Sequence, residues 1–453
     1  MRYRGAHCER DQTDPSRVTD WLAIMQWIQG AVERLENPRI DGKGLRDTPS
    51  DRPHGTKDIT AMPEPWRRGY YEALMMYAKA AERVDGWVLD KSRNIVFPPE
   101  MMVGPSNPRP QPIPPGYKGA PKEEHCEAIF ESPNDIYMRI LSTEGLTPRQ
   151  KMDAGLAYAS WLEFKGITGP ANIIYEDAVH LAASDLPPLL GGTPIINPDT
   201  WTLNDAAGPP SQNLLTALTA YATFRARHSD LTSAFPILVS LLKARRSLPT
   251  TPDSTSPLFT PSEPTASAKN FLSDTASLAL RMVLPPAYPP PPDDGSAPPL
   301  RDAKELCEEA ALSLHIGEIL YASQPATREE GLGWTREAVD IAEEQLHKLG
   351  SSAADKDART TCRECLGTGL GNWAEMVARL AREEAAAKEA LAQTPPVKAS
   401  WFGGLWGEGV VKEEDRSRWA AEEKVIVERE RRAKELLDEL EPPANGLSSI
   451  FSA

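Results

Sequence analysis

Thr361 to Trp373 reads TCRECLGTGLGNW, and inside it Cys362, Cys365, Gly367 and Gly369 form a C-x-x-C-x-G-x-G pattern. Two thiolates at that spacing can grip one side of a metal while the glycines let the chain turn around it. A structural zinc needs four ligands, and the pattern occurs here once. Cys8, Cys126 and Cys307 lie far away along the chain, and neither H-x-x-x-H nor a second C-x-x-C is present.

The same residues fit a helix. Cys362, Cys365, Gly369 and Trp373 recur at spacings of three, four and four, which places them on one side. Buried free cysteine behaves there as a small hydrophobe. The helix is therefore the expected state, and no metal-ligating, cofactor-binding or catalytic residue is assigned. Three glycines in a helix cost about 1 kcal/mol each relative to alanine, so close packing has to offset them. A zinc-dependent factor or enzyme using Cys362 and Cys365 is the alternative.

Elsewhere the seven histidines never pair at ligand spacing. The sequence lacks G-x-S-x-G, a phosphate loop ending in Gly-Lys-Ser/Thr, and H-E-x-x-H. A non-catalytic protein is expected. The formal charge of -15, with no basic patch, repels polyanions and argues against a nucleic-acid partner. Five cysteines are too few and too scattered for a disulfide framework. An intracellular, reducing compartment follows as the expectation, cytoplasmic with mitochondrial as the alternative. No apolar run reaches the roughly 20 residues that span a bilayer, and the opening MRYRGAHCERDQTDPSR has no apolar signal core.

The elements around these residues read as helices separated by proline. Asp14 and Pro15 announce a first helix carrying Val18, Trp21, Leu22, Met25, Ile28, Val32 and Leu35, and WRRGYYEALMMYAKAAERV is a second, together making an N-terminal helical region over 1–96. Nine prolines between Phe97 and Pro121 predict an extended linker. Helical hairpins follow over 122–248: one from Thr147 to Ser184, broken at Gly166 to Pro170, and one from Ser211 to Ser247, turning near Ser229. In the latter, Pro236 is tolerable only in the first turn of its helix. A Ser/Thr/Pro-rich linker is expected over 249–299. Two more hairpins fill 300–395, the last turning into EEAAAKEALAQ. The final region, 396–453, holds a charged helix whose Trp419, Ile426, Ala433 and Leu440 recur every seven residues, expected to cap the last hairpin.

Paired helices with small residues at their crossings resemble tetratricopeptide (TPR) repeats. Gly155 and Tyr158 match the first half of that pattern, and Tyr175 and Ala178 the second, with a spacing about four residues longer than the 34-residue repeat. Looser matches are Trp334 and Ala338 in GLGWTREAVDIAEE, and Gly371 in LGNWAEM. Helical repeats interrupted by Ser/Pro loops are also similar to uncharacterised proteins of filamentous fungi. The resemblance implies an all-α fold of antiparallel hairpins stacked as a TPR-like array, interrupted by proline-rich disordered linkers. Its implied role is a scaffold that binds a protein partner.

Ala178 offers a test. Enlarging it to leucine at a helix crossing should cost about 1 to 3 kcal/mol and lower the melting temperature. Glu176→Gln, on the charged face, should change stability by less than about 0.5 kcal/mol. Thermal circular dichroism of both variants compares them, and equal effects remove the crossing.

Overall fold

Twelve α-helices and five short strands form among the residues that a computed structural model describes: 2–11, 18–48, 53, 55–113, 119–184, 194–250, 290–350, 356–393 and 418–440. Two compact units share them: Met1–Pro187 with Pro257–Ser296, and Pro188–Ser256 with Ala297–Ala453. The stretch 122–248, expected as one region, is therefore divided between the two. No helix among the described residues is long and apolar enough to cross a membrane.

In the first unit the helices are α1 (Arg2–Arg10), α2 (Trp21–Glu36), α3 (Glu64–Arg83), α4 (Pro133–Ser142), α5 (Pro148–Phe164) and α6 (Thr168–Ser184). Asp20 caps α2 by accepting from the Ala23 amide at 2.9 Å, so the helix begins after the expected Asp14–Pro15 start, which lies outside the described residues. Val18 is consequently 89% exposed, while Ile24, Met25, Ile28 and Val32 bury their side chains. A capping box starts α5: Gln150 N donates to the Thr147 hydroxyl at 3.2 Å, and Thr147 N to the Gln150 side chain at 3.0 Å. Gly166, with φ +76, turns the chain between α5 and α6.

Charge ties α2, α3 and α4 together. Glu36 accepts from the Tyr70 hydroxyl at 2.7 Å and from the Arg139 guanidinium, which is 7% exposed. Burial lowers the Arg139 pKa to about 10, still well above neutrality.

Two small sheets join the first unit's helices: β1 (Arg46–Asp47) with β2 (Lys57–Asp58), and β4 (Ile95–Phe97), β3 (Val88–Asp90) and β5 (Cys126–Ala128) in that spatial order. Leu89 pairs antiparallel with both Val96 and Glu127. The described parts of the proline-rich stretch, 97–113 and 119–121, are thus tied to neighbouring backbone, unlike the linker expected there. Phe97 is 2% exposed, Val103 N donates to Pro121 O at 2.8 Å, and Asn107 Nδ2 donates to the Glu100 and Met102 carbonyls, each at 2.9 Å. One asparagine side chain and a strand edge satisfy backbone groups that proline spacing alone suggested would face water. Most of the second expected linker, 251–289, lies outside the described residues.

The second unit contains α7 (Gln212–Arg227), α8 (Leu231–Arg246), α9 (Ala303–Ser323), α10 (Arg328–Leu349), α11 (Lys356–Gln393) and α12 (Arg418–Leu440). Ser229, at φ 64, turns α7 into α8. Pro236 sits inside α8 rather than in its first turn, so one i→i−4 bond is missing there. Charge joins α8 to α9: Arg245, 2% exposed, donates to Glu305, and Arg246 and Arg301 bond Glu309 at 2.9 and 2.8 Å.

The turn expected at the end of the fourth hairpin is absent, and α11 continues for 38 residues. EEAAAKEALAQ holds no glycine or proline to stop it. The expected cap is α12, whose Ile426 and Ala433 are buried with Trp419 and Leu440 packed beside them in the core of α9 to α11.

Tightest of all is the crossing of α9 and α10. A Cβ on Gly331 would stand 2.5 Å from Gly317 O, and one on Gly317 would stand 2.8 Å from Gly331 O. Gly317→Ala or Gly331→Ala should therefore lose about 3 kcal/mol in denaturant melts, whereas Gly333→Ala, facing open space on α10, should gain up to about 1 kcal/mol. Similar changes at all three would remove the close contact.

Candidate functional site

Every residue of the opening pattern lies on α11. Cys362 is 0% and Cys365 5% exposed, and Trp373 sits further along the same buried side. Gly369 is where the helix needs no side chain, since a Cβ would come within 2.8 Å of Val339 Cγ2 on α10. Gly367 and Gly371 meet nothing within 4 Å, so the packing role expected of Gly371 falls to Gly369, two residues earlier.

Cys362 is not a free thiol. Its sulfur is bonded to Cys307 on α9, with Cα atoms 5.1 Å apart and a sequence separation of 55. The expectation of Cys362 as a buried free cysteine is corrected here. Antiparallel α9 and α10 return the chain so that the starts of α9 and α11 meet, a proximity that scattered positions conceal. Cys8, Cys126 and Cys365 remain free. Burial, reinforced by the Glu308 charge, pushes the Cys365 thiol up to about 12. While the disulfide stands, Cys362 has no thiolate to offer a metal, and no group of three or more His, Cys, Asp or Glu side chains suited to a metal forms among the described residues.

Of the repeat positions, Gly155 and Ala178 face each other between α5 and α6, where a Cβ on Gly155 would lie 3.8 Å from that of Ala178. Tyr158 stacks on Tyr137 and Trp161, at ring centroids of 5.3 and 6.1 Å. Tyr175, 3% exposed, donates its hydroxyl to Glu163 at 3.2 Å. Trp334 lies half-buried on α10 under the Arg246 guanidinium, and Ala338 is fully buried one turn on.

Sequence reasoning missed a cleft in the first unit. Tyr71, Met75, Lys79 and Glu82 form a line along α3, facing Asp153, Ala157, Trp161 and Phe164 of α5. Small Ala157 and Ser160 leave two adjoining hollows, about 410 and 610 Å³, both lined by Lys79 and Ala157. The Tyr137 hydroxyl of α4 donates to Glu82. Burial raises the pKa of Glu82 and Asp153, opposed at Glu82 by the Tyr137 bond and at Asp153 by Arg149. The Trp161 indole N–H is buried without a hydrogen-bond partner. Phe164, in the cleft lining, is 84% exposed, and Ile167 and Ile173 on the same hairpin are exposed too. Spacings of three and four along α3 and α5 were the available signal, hidden because Lys79, Glu82 and Asp153 interrupt the apolar residues.

This pattern can seat an apolar side chain against Trp161 and Phe164 while Lys79 and Arg83 meet a nearby charge. It also sets a pH dependence. A carboxyl raised in the fold contributes stability that is fully present below its ordinary pKa and lost as pH rises through the folded value. Glu82→Gln, which keeps an acceptor for Tyr137, should therefore melt above the parent protein at pH 7, with the gap closing toward pH 4. A gap independent of pH would mean that Glu82 is not desolvated.

No protein family, curated protein or solved structure matches the chain, so its helical architecture rests on the packing described above.

Proposed function

We propose that this chain is a non-catalytic scaffold of TPR-like helical hairpins that holds a protein partner. The observation that carries the reading is Phe164, 84% exposed, lining a cleft with Tyr137 and Trp161, with Ile167 and Ile173 also exposed on the same α5–α6 hairpin. An exposed aromatic side chain lining a partly aromatic hollow, on a hairpin with further exposed isoleucines, is the kind of surface that a partner's anchor residue covers. Helical hairpins supply the rigid support, because each buries its inner face through small residues such as Gly155 and Ala178 and leaves its outer edge free. The charge of -15 favours a partner that is not a polyanion.

Cross-linking in the native cell tests the proposal. Phe164→Glu combined with Ile173→Glu should lower the yield of a cross-linked partner by about tenfold, the equivalent of 1.4 kcal/mol, without moving the melting temperature. An undiminished partner yield removes this surface from the reading. Stoichiometric zinc in the purified protein, lost on Cys365→Ser, would replace the scaffold by the zinc-dependent alternative.

A further inference from the structure

Cys307 lies in the first two turns of α9, and Cys362 in the first two turns of α11. Their bond closes a covalent loop around the rest of α9 and all of α10. Beyond Cys362 the chain runs on as α11, which in turn holds α12: Trp373 donates to Glu422 of α12 at 2.7 Å, and Ile426 and Ala433 share the core with Cys362 and Leu366. Both bonded cysteines are 0% exposed.

We infer that the Cys307–Cys362 disulfide is a redox-gated lock on the second unit: closed by oxidation as the helices assemble, it holds α11, and through it α12, on the α9–α10 hairpin. Closure needs a small disulfide such as oxidised glutathione. One cysteine thiolate displaces a glutathione thiolate to give a mixed disulfide, and the other cysteine displaces the second. The two protein sulfurs lose two electrons and two protons, and two glutathione thiols result. Once formed, the bond is shielded in two ways. An external thiol reaches it only when α11 lifts from α9, because neither sulfur-bearing residue touches solvent. The nearest thiol along the chain, Cys365 one turn on, is held protonated by burial and so is a poor internal nucleophile. A chain locked in this way folds where small disulfides are available, in place of the reducing compartment that cysteine number alone suggests.

Thiol counting on the full chain tests the lock. After refolding in a glutathione redox buffer, denatured protein should take up maleimide at three cysteines, Cys8, Cys126 and Cys365, and at all five after reduction. Dithiothreitol should open the bond at least about a thousandfold more slowly in the native protein than in denaturant. Oxidised protein should melt roughly 10 °C above reduced protein, and Cys307→Ser with Cys362→Ser should match the reduced form. Five reactive thiols before reduction, or equal reduction rates in native and denatured protein, overturn the inference. If the double variant fails to fold, the thiol counts and rates on the unaltered chain decide it.

Discussion

Two missing Cβ atoms set the second unit. Because Gly317 and Gly331 carry none, the backbones of α9 and α10 come close enough for each glycine to face the other's carbonyl. That separation fixes where the next side chains end. Tyr321, on the same side of α9, carries its hydroxyl to Met376 O of α11 at 2.8 Å, and Thr335 of α10 bonds Gly331 O at 3.1 Å. Only with α10 held there does Val339 meet the bare backbone at Gly369, bringing α11 into place. Trp373 of α11 then has the guanidinium groups of Arg336 and Arg429 at 5.9 and 5.5 Å from its ring, and binds α12 through Glu422. Each helix is positioned by the one before it, as expected of stacked hairpins whose neighbours complete their cores.

In the first unit charge also ties three helices together. Glu36, Tyr70 and Arg139 form a largely desolvated network across three helices, and removing Glu36 leaves the buried Arg139 charge only the Tyr70 hydroxyl at 3.3 Å and Glu131 at 3.8 Å. At the cleft the balance reverses. Glu82 and Asp153 are pushed toward their neutral forms, so their opposing bonds and charges do not fully offset burial. Carboxyls kept under such a penalty contribute little to the fold at neutral pH, and perturbed groups in a hollow are what binding surfaces commonly retain.

Helix existence was legible wherever caps and stops coincide with apolar period. Thr147 and Pro148 with Gly166 delimited α5, and Ser211 with Ser229 delimited α7. The short α1 and α4 were not, although Ser132 and Pro133 before Ile136, Tyr137 and Ile140 follow the same start rule as α5. Ten residues give too few turns for period to stand out. The phase of small residues was harder still. Gly367, Gly369 and Gly371 look alike in sequence, and only the position of Val339 selects one of them. The α3–α5 cleft was illegible for a different reason: Lys79, Glu82 and Asp153 interrupt Met75, Ala157, Trp161 and Phe164, so no unbroken apolar period marks that face.

Those three glycines bear on the disulfide. If Gly367 and Gly371 meet nothing, close packing offsets the helical penalty at Gly369 alone, and α11 keeps a deficit of about 2 kcal/mol relative to alanine. The deficit falls within three turns of Cys362, in the part of α11 that must dock on α9 and α10. A covalent tie at Cys362 acts on that same segment by restricting the unfolded chain, and for a loop of this length it contributes about 4 kcal/mol. The gain exceeds the deficit. The C-x-x-C-x-G-x-G spacing suited to a metal is thus equally suited to a weak helix held by a bond to a distant partner, and it is Cys307, outside the motif, that distinguishes the two.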